Sequence, residues 1–236
     1  MPNPYFQFKQ FTVRHDKCAM KVGTDGVLLG AWAPVQNVKR VLDVGAGTGL
    51  ISLQLAQRIP DALITSVEID SAAAAQAGEN VRSAPWSERI KVVCCDFRDY
   101  RPEERFDLIV SNPPYFVDAL KCPDNQRCTA RHTSDLNYEL LLGHSAHLLA
   151  GEGSISIIIP SEVESMVIDT AWKYKLYPYR HLRVFTKPGK PCRRVLLAFG
   201  RRDVPCAEDS LYIEGEEHGQ YTPEYISLTR DFYLKM

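Results

Sequence analysis

Asn112-Pro113-Pro114-Tyr115 sets an amide, two prolines and a phenol ring in four consecutive positions. The Asn112 side-chain oxygen and the Pro113 carbonyl can each accept one N–H of a planar NH₂ group, and proline, lacking an N–H, presents only its carbonyl. Tyr115 can stack on the ring that carries such a group. Upstream, Asp43-Val44-Gly45-Ala46-Gly47-Thr48-Gly49 offers a different chemistry. Glycines after a buried strand let the backbone turn sharply and approach a ligand closely, with a helix N-terminus behind. The spacing is G-x-G-x-G. A dinucleotide fingerprint needs its third glycine at position 50, where Leu50 stands. Asp43 suits a cationic or amine-bearing cofactor better than a pyrophosphate. Glu68 can accept hydrogen bonds from both hydroxyls of a ribose. Asp96 can read an adenine amino group, and Phe97 can cover the face of its ring.

These residues need elements that bring them together. Residues 41–44 read as a buried strand, 50–58 as a helix, 64–67 as a strand and 71–82 as an alanine-rich helix, with further strands at 90–93 and 106–110. The pattern predicts a helix over 136–149, a strand over 154–159, a helix opened by Pro160-Ser161-Glu162, and strands at 181–185 and 195–199. Lys187-Pro188-Gly189-Lys190-Pro191 has the composition of a turn. Phe6, Phe8, Phe11 and Val13 suggest short strands in an N-terminal arm, and Thr24-Asp25-Gly26 suggests a helix start with a capping side chain. Thr222-Pro223-Glu224 predicts a short C-terminal helix. Alternating units of this kind predict an α/β, Rossmann-like, doubly wound and mostly parallel sheet. The glycine loop, Glu68, Asp96 and Asn112 would then each follow the C-terminal end of a strand, where open α/β sheets bind ligands.

The tetrapeptide resembles the catalytic motif of amino methyltransferases, which methylate exocyclic NH₂ groups of bases or side-chain amides. The lone pair of such an NH₂ is delocalised, so the nitrogen is a poor nucleophile. Two acceptors that hold it facing a sulfonium methyl also favour the pyramidal transition state. No metal, covalent nucleophile or obligatory general base is needed. The chain as a whole resembles the bacterial tRNA1(Val) adenine-37 N6-methyltransferases. The residues that carry this likeness are Lys21-Val22-Gly23-Thr24-Asp25-Gly26-Val27-Leu28-Leu29-Gly30-Ala31-Trp32, the tetrapeptide, Arg131-His132, Lys187-Pro188, Arg193-Arg194 and Asp231-Phe232-Tyr233-Leu234. The resemblance implies S-adenosylmethionine as cofactor, tRNA as substrate, a seven-stranded sheet with an antiparallel last strand, and Thr24 and Asp25 near the methionine end of the cofactor. The cofactor set is then Thr24, Asp25, Asp43, Gly45, Gly47, Thr48, Gly49, Glu68, Asp96, Phe97 and Asn112; the catalytic set is Asn112, Pro113, Pro114 and Tyr115. One methyltransferase domain, 1–236, divides into an arm and first helix (1–35), a core (36–203) and an acidic tail with a short helix (204–236). Glutamine methylation of the release-factor type is the alternative, although only about forty residues precede the cofactor strand where such enzymes carry a helical domain. A non-catalytic RNA-binding scaffold is a third reading, which an intact Asn112 and Tyr115 disfavour.

Charge adds a further expectation. The net charge is −1, yet residues 173–202 hold ten Lys or Arg and no acid, and residues 203–236 hold eight acids and two bases. A basic face beside an acidic tail is a plausible RNA footprint, and Arg131, His132, Lys187, Lys190, Arg193 and Arg194 are its candidate contacts. The seven cysteines are odd in number; Cys122 and Cys128 lack a partner pair at zinc spacing, so reduced thiols and no metal are expected. His144 and His147 read as surface or core histidines, and Trp32 and Trp172 as core. No apolar run approaches the ~18 residues of a membrane span, and the first residues lack the basic start and apolar stretch of a secretion signal. A cytoplasmic location is expected.

Overall fold

The protein is described by a computed structural model covering residues 3–18, 21–113, 137–217 and 219–236. Pro114, Tyr115, Cys122, Cys128, Arg131 and His132 lie outside the described residues. The arm is a two-stranded antiparallel hairpin, β1 (Tyr5–Gln7) and β2 (Thr12–Arg14), followed by α1 (Thr24–Trp32). Then come β3 (Arg40–Val44), α2 (Leu50–Arg58), β4 (Leu63–Glu68), α3 (Ser71–Arg82), β5 (Ile90–Cys94) and β6 (Phe106–Ser111). After the undescribed stretch follow α4 (Tyr138–Leu148), β7 (Leu149–Pro160), α5 (Glu164–Lys173), β8 (Tyr177–Phe185), β9 (Arg194–Gly200), β10 (Ala207–Tyr212) and α6 (Pro223–Thr229).

The main sheet has the order β10-β8-β9-β7-β6-β3-β4-β5, parallel throughout except for β9, which runs antiparallel between β7 and β8. From β3 the chain builds outward through β4 to β5, then returns to place β6 on the other side of β3. The C-terminal ends of β3 and β6 are therefore neighbours at the point where the winding reverses. Clefts open at such points because the adjoining connections leave on opposite faces of the sheet. The strands at the sheet centre are apolar on both faces, as helix-covered parallel strands must be: Val41, Leu42, Leu108, Ile109, Val110, Ile155, Ile157 and Ile159 are buried.

α1 lies along α2 at close range. A Cβ on Gly30 would stand 2.3 Å from Gln54 Oε1, so only glycine admits this approach. Gly26 meets Leu50 at the start of α2 as Gly30 meets Gln54 further along, so the two helices run in the same direction and their N-termini lie side by side. Arg58 closes the other end, donating to the Gly30 and Ala33 carbonyls at 2.8 Å each.

Four expectations are corrected. The sheet has eight strands rather than seven, because β10 forms within the segment read as an acidic tail. Its one buried apolar side chain, Leu211, left no alternation to read; it is held by register with β8 and by Glu208, which pairs with Arg183 at 2.9 Å. The antiparallel strand β9 is consequently not the last. α1 begins at Thr24 with Gly23 as N-cap and no capping side chain, since Asp25 is turned to Arg194 instead. Trp172 is 54% exposed on α5, whereas Trp32 is core, with the Arg180 guanidinium 4.5 Å from its ring centroid. No helix among the described residues is long and apolar enough to cross a membrane.

Thr222 caps α6 by accepting from Tyr225 N at 3.2 Å, and its hydroxyl donates to the Tyr212 carbonyl at the end of β10. Thr222→Ala is expected to cost about 1–2 kcal/mol in urea titration, while Thr222→Ser stays close to wild type.

Candidate active site

The loop after β3 turns on its glycines. Gly45, Gly47 and Gly49 have φ of 71°, 54° and 80°, a region that side-chain-bearing residues rarely adopt. A Cβ on Gly45 or Gly47 would meet nothing within 4 Å, so at these two positions the demand is conformational and the space above the loop stays open to a ligand. The loop is pinned to the next strand: Gly45 N and Ala46 N donate to the Val67 carbonyl at 2.9 and 3.1 Å.

Asp43 is fully buried at the end of β3. Its Oδ2 accepts from Ser52 Oγ at 2.7 Å and from Ser52 N at 3.1 Å, the latter a donor in the first turn of α2 that no residue of the helix can satisfy. Ser66 Oγ, 2.7 Å from Ser52 Oγ, extends the chain to β4. The other oxygen, Oδ1, is buried and has no hydrogen-bond partner. Burial raises the Asp43 carboxyl to about 7; the Ser52 hydrogen bonds pull it back, and the nearby Glu68 charge adds to the rise. Two acids beside one loop, one with an unused buried oxygen, favour a cation or an N–H donor over a phosphate.

Glu68 ends β4, with Oε2 accepting from Gly47 N at 2.7 Å and Oε1 from Asp70 N at 2.9 Å. Each oxygen keeps a second lone pair, so both can still accept hydroxyl donors. Ile69, directly after Glu68, is 63% exposed. A bare aliphatic side chain at a strand end beside a polar loop is suited to cover a planar ring. Sequence reasoning passed over it, although its position between Glu68 and the helix-capping Asp70 was the signal.

At the end of β5 the structure differs from expectation. Asp96 accepts from Arg98 through both its backbone N–H (2.8 Å) and its guanidinium (2.8 and 2.5 Å), capping a short 3-10 turn. The Arg98 hydrogen bonds hold its carboxyl below the ordinary range. Phe97 is 4% exposed and packs edge-on against His144, so its ring is core rather than a free face. Both effects come from the turn's own geometry, which strand pattern alone does not reveal.

β6 ends beside the loop, with Ser111 Oγ donating to the Val44 carbonyl at 2.8 Å. The next residue, Asn112, carries a buried Oδ1 that accepts no hydrogen bond among the described residues, and Pro113 after it is buried. Thr24 is exposed and Asp25 half-buried at the N-terminus of α1, which the helix pairing sets beside the start of α2. Asp25 Oδ2 accepts from Arg194 Nε at 2.8 Å.

Four of the ten bases in the basic segment pair with acids from elsewhere in the chain. Arg183 meets Glu164 and Glu208, Lys173 meets Glu139, Arg202 meets Glu152, and Arg194 meets Asp25. Lys187, Lys190 and Arg193 form no ion pair among the described residues. They sit on the β8–β9 connection, and because Arg194 pairs with Pro160 at the C-terminal end of β7, that connection lies at the same end of the sheet as Asn112. Among the described residues no group of three or more His, Cys, Asp or Glu is placed to hold a metal ion.

Residues 21–166 match the family model of the methyltransferase small domain. A protein of Bacteroides thetaiotaomicron named tRNA1(Val) (adenine(37)-N6)-methyltransferase is 56% identical over 237 residues, covering all of both chains. The chain belongs to the tRNA1(Val) (adenine(37)-N6)-methyltransferase family. A member from Aeromonas hydrophila is 47% identical over 99% of each chain. A solved structure of a predicted O-methyltransferase from Agrobacterium tumefaciens superposes with a TM-score of 0.71 at 19% identity, covering 88% of this chain and 96% of that one. At that identity the likeness concerns the fold alone: this chain's glycine loop, Glu68 and Asn112 stand on a sheet of class I methyltransferase type.

A carboxyl raised by burial contributes stability that is complete below its ordinary value of 3.8 and is lost as pH rises through about 7. Asn does not titrate. The Asp43→Asn variant is therefore expected to gain stability relative to wild type between about pH 4 and about pH 8, by on the order of a few kcal/mol, in paired thermal melts. A flat difference over that range would mean that the carboxyl is not raised.

Proposed function

We propose that this chain transfers the methyl group of S-adenosylmethionine to N6 of adenine 37 in tRNA1(Val). The observation that carries this reading is the buried, unpartnered Oδ1 of Asn112, one residue past the strand that adjoins the glycine loop. A buried acceptor without a donor costs free energy that folding does not recover, and an amine N–H of a bound base satisfies it.

When bound, the cofactor supplies an electrophilic methyl group on a positively charged sulfur. The donor set fits it. Glu68 is placed to accept from a ribose diol while keeping Gly47, and Ile69 offers an apolar cover for the adenine. Asp43, with Thr24 and Asp25 near the same loop, supplies negative character for an ammonium or sulfonium; a neighbouring cation also relieves the mutual repulsion of Asp43 and Glu68. Asp96 is retained as a wall residue through Arg98, and Phe97 as its buried support.

On the substrate side Asn112 Oδ1 and the Pro113 carbonyl hold the amine, with Tyr115 stacking on the base. As the nitrogen pyramidalises and gains charge, its N–H groups become stronger donors, so these contacts strengthen toward the transition state. The new N–C bond uses the nitrogen lone pair, the old C–S bond leaves its electrons on sulfur, and the extra proton passes to solvent. Lys187, Lys190 and Arg193, with Arg131 and His132, contact the RNA backbone, and Arg194 acts by fixing Asp25. A tRNA substrate puts the work in the cytoplasm.

Asn112→Ala is expected to lower single-turnover transfer to tRNA by on the order of 10²–10³ with cofactor affinity unchanged. Near-wild-type turnover by the folded variant would overturn the mechanism. Label from radioactive cofactor reaching a glutamine of a protein instead of RNA would replace the substrate, and label reaching neither would leave a binding scaffold. Replacing Lys187, Lys190 and Arg193 by Ala together should weaken tRNA binding and flatten its log–log salt dependence by about 0.7–0.9 per lost phosphate contact; an unchanged slope would move the footprint elsewhere.

A further inference from the structure

The N-terminal segment 14–18 takes no part in the reaction as drawn, yet α3 grips its backbone. Gln76, Glu79 and Asn80 share one face of α3, at spacings of three and four residues. Asn80 is 2% exposed, and its amide is fully used: Oδ1 accepts from Arg14 N, and Nδ2 donates to the Arg14 carbonyl and to the Thr48 carbonyl, each at 2.9 Å. Gln76, also buried, accepts from Lys17 N at 3.0 Å and donates to Asp16 Oδ1 at 2.8 Å. Lys17 Nζ adds an ion pair to Glu79 at 2.7 Å. The next residue, Cys18, is half-buried; burial, with the Glu68 and Asp70 charges adding to it, pushes its thiol up to about 11.

Only one orientation of the Asn80 amide works. Turning it over would face NH₂ with an N–H and oxygen with two carbonyl oxygens, three repulsive contacts in a buried place. Thr48 lies between Gly47 and Gly49, so Asn80 grips the glycine loop one residue beyond the point where Glu68 grips it. The two side chains hold adjacent residues of the same turn.

We propose that Asn80 is a positioning residue for cofactor binding: it sets the Thr48 carbonyl and, through Arg14, lays segment 14–18 along the cofactor site as one of its walls. This rests on the reading of the glycine loop and Glu68 as that site. Asn80 touches neither cofactor nor substrate in this scheme. It acts through the loop's shape and through the arm, so its loss should be felt as cofactor affinity rather than as chemistry.

The test uses the full chain, wild type and Asn80→Asp, the latter isosteric but placing a carboxylate oxygen against two carbonyl oxygens. The KM for S-adenosylmethionine should rise about tenfold or more, with kcat and the KM for tRNA within about twofold. In parallel, hydrogen exchange of wild-type residues 12–18 is followed with and without S-adenosylhomocysteine, with binding confirmed by calorimetry. Slower exchange on binding, centred on the Arg14 and Lys17 amides, is expected, and this arm stands even if Asn80→Asp fails to fold. The proposal falls if wild type binds S-adenosylhomocysteine with unchanged exchange over 12–18, or if folded Asn80→Asp keeps the wild-type cofactor KM. A wild-type chain that binds no S-adenosylhomocysteine overturns the site reading, and this proposal with it. A merely structural Asn80 would lower the melting temperature and leave the KM split absent.

Discussion

The carboxylate of Glu68 accepts one backbone N–H from the glycine loop and another from the entry to α3, joining the C-terminal ends of β3 and β4 to the start of α3. Much of the site depends on that junction. Gly45 and Ala46 donate to the Val67 carbonyl and Gly49 to the Ala46 carbonyl, which leaves Gly47 N for the Glu68 carboxylate. With Glu68 in place the loop has a defined height above the sheet. The neighbouring strand end then brings Asn112 to a defined position beside it, through Ser111 and the Val44 carbonyl.

Charge in this molecule is arranged against its order along the chain. The run of ten bases in residues 173–202 resembles an open phosphate-binding stretch, but folding brings Glu139, Glu152, Glu164, Glu208 and Asp25 onto four of them. Exposed pairs of this kind add little stability. They leave Lys187, Lys190 and Arg193, on the β8–β9 connection at the catalytic end of the sheet, without an ion pair among the described residues. Of the acidic residues that follow, Glu208 pairs with Arg183 of β8, which helps an eighth strand form where the hydrophobic pattern is nearly absent.

At the centre of the site the same economy is reversed. Asp43 and Glu68 are both buried and close enough to raise the Asp43 carboxyl, and no described cation neutralises Asp43. Asp43 gains from the first turn of α2 and from Ser52, which explains how it tolerates burial, while one oxygen is left over. A buried polar atom without a partner calls for an explanation, and two such atoms, on Asp43 and Asn112, lie at the adjoining ends of β3 and β6.

The sequence by itself determined the alternation of strands and helices, the G-x-G-x-G turn with acids at successive strand ends, and the tetrapeptide, because each of these is written in local spacing or in the dihedral freedom of particular residue types. It did not determine where side chains with several suitable partners would go. Asp25 could have capped α1 and instead pairs with Arg194, 169 residues away. Asp96 turned to Arg98, Phe97 turned inward, Trp172 turned out, and β10 joined the edge. Asn80, an unremarked residue within an alanine-rich helix, became the link between the arm and the glycine loop only when β2 was laid across α3. Local pattern reports what a residue can bond; which of its partners comes within 3 Å is decided by packing among elements far apart in the chain.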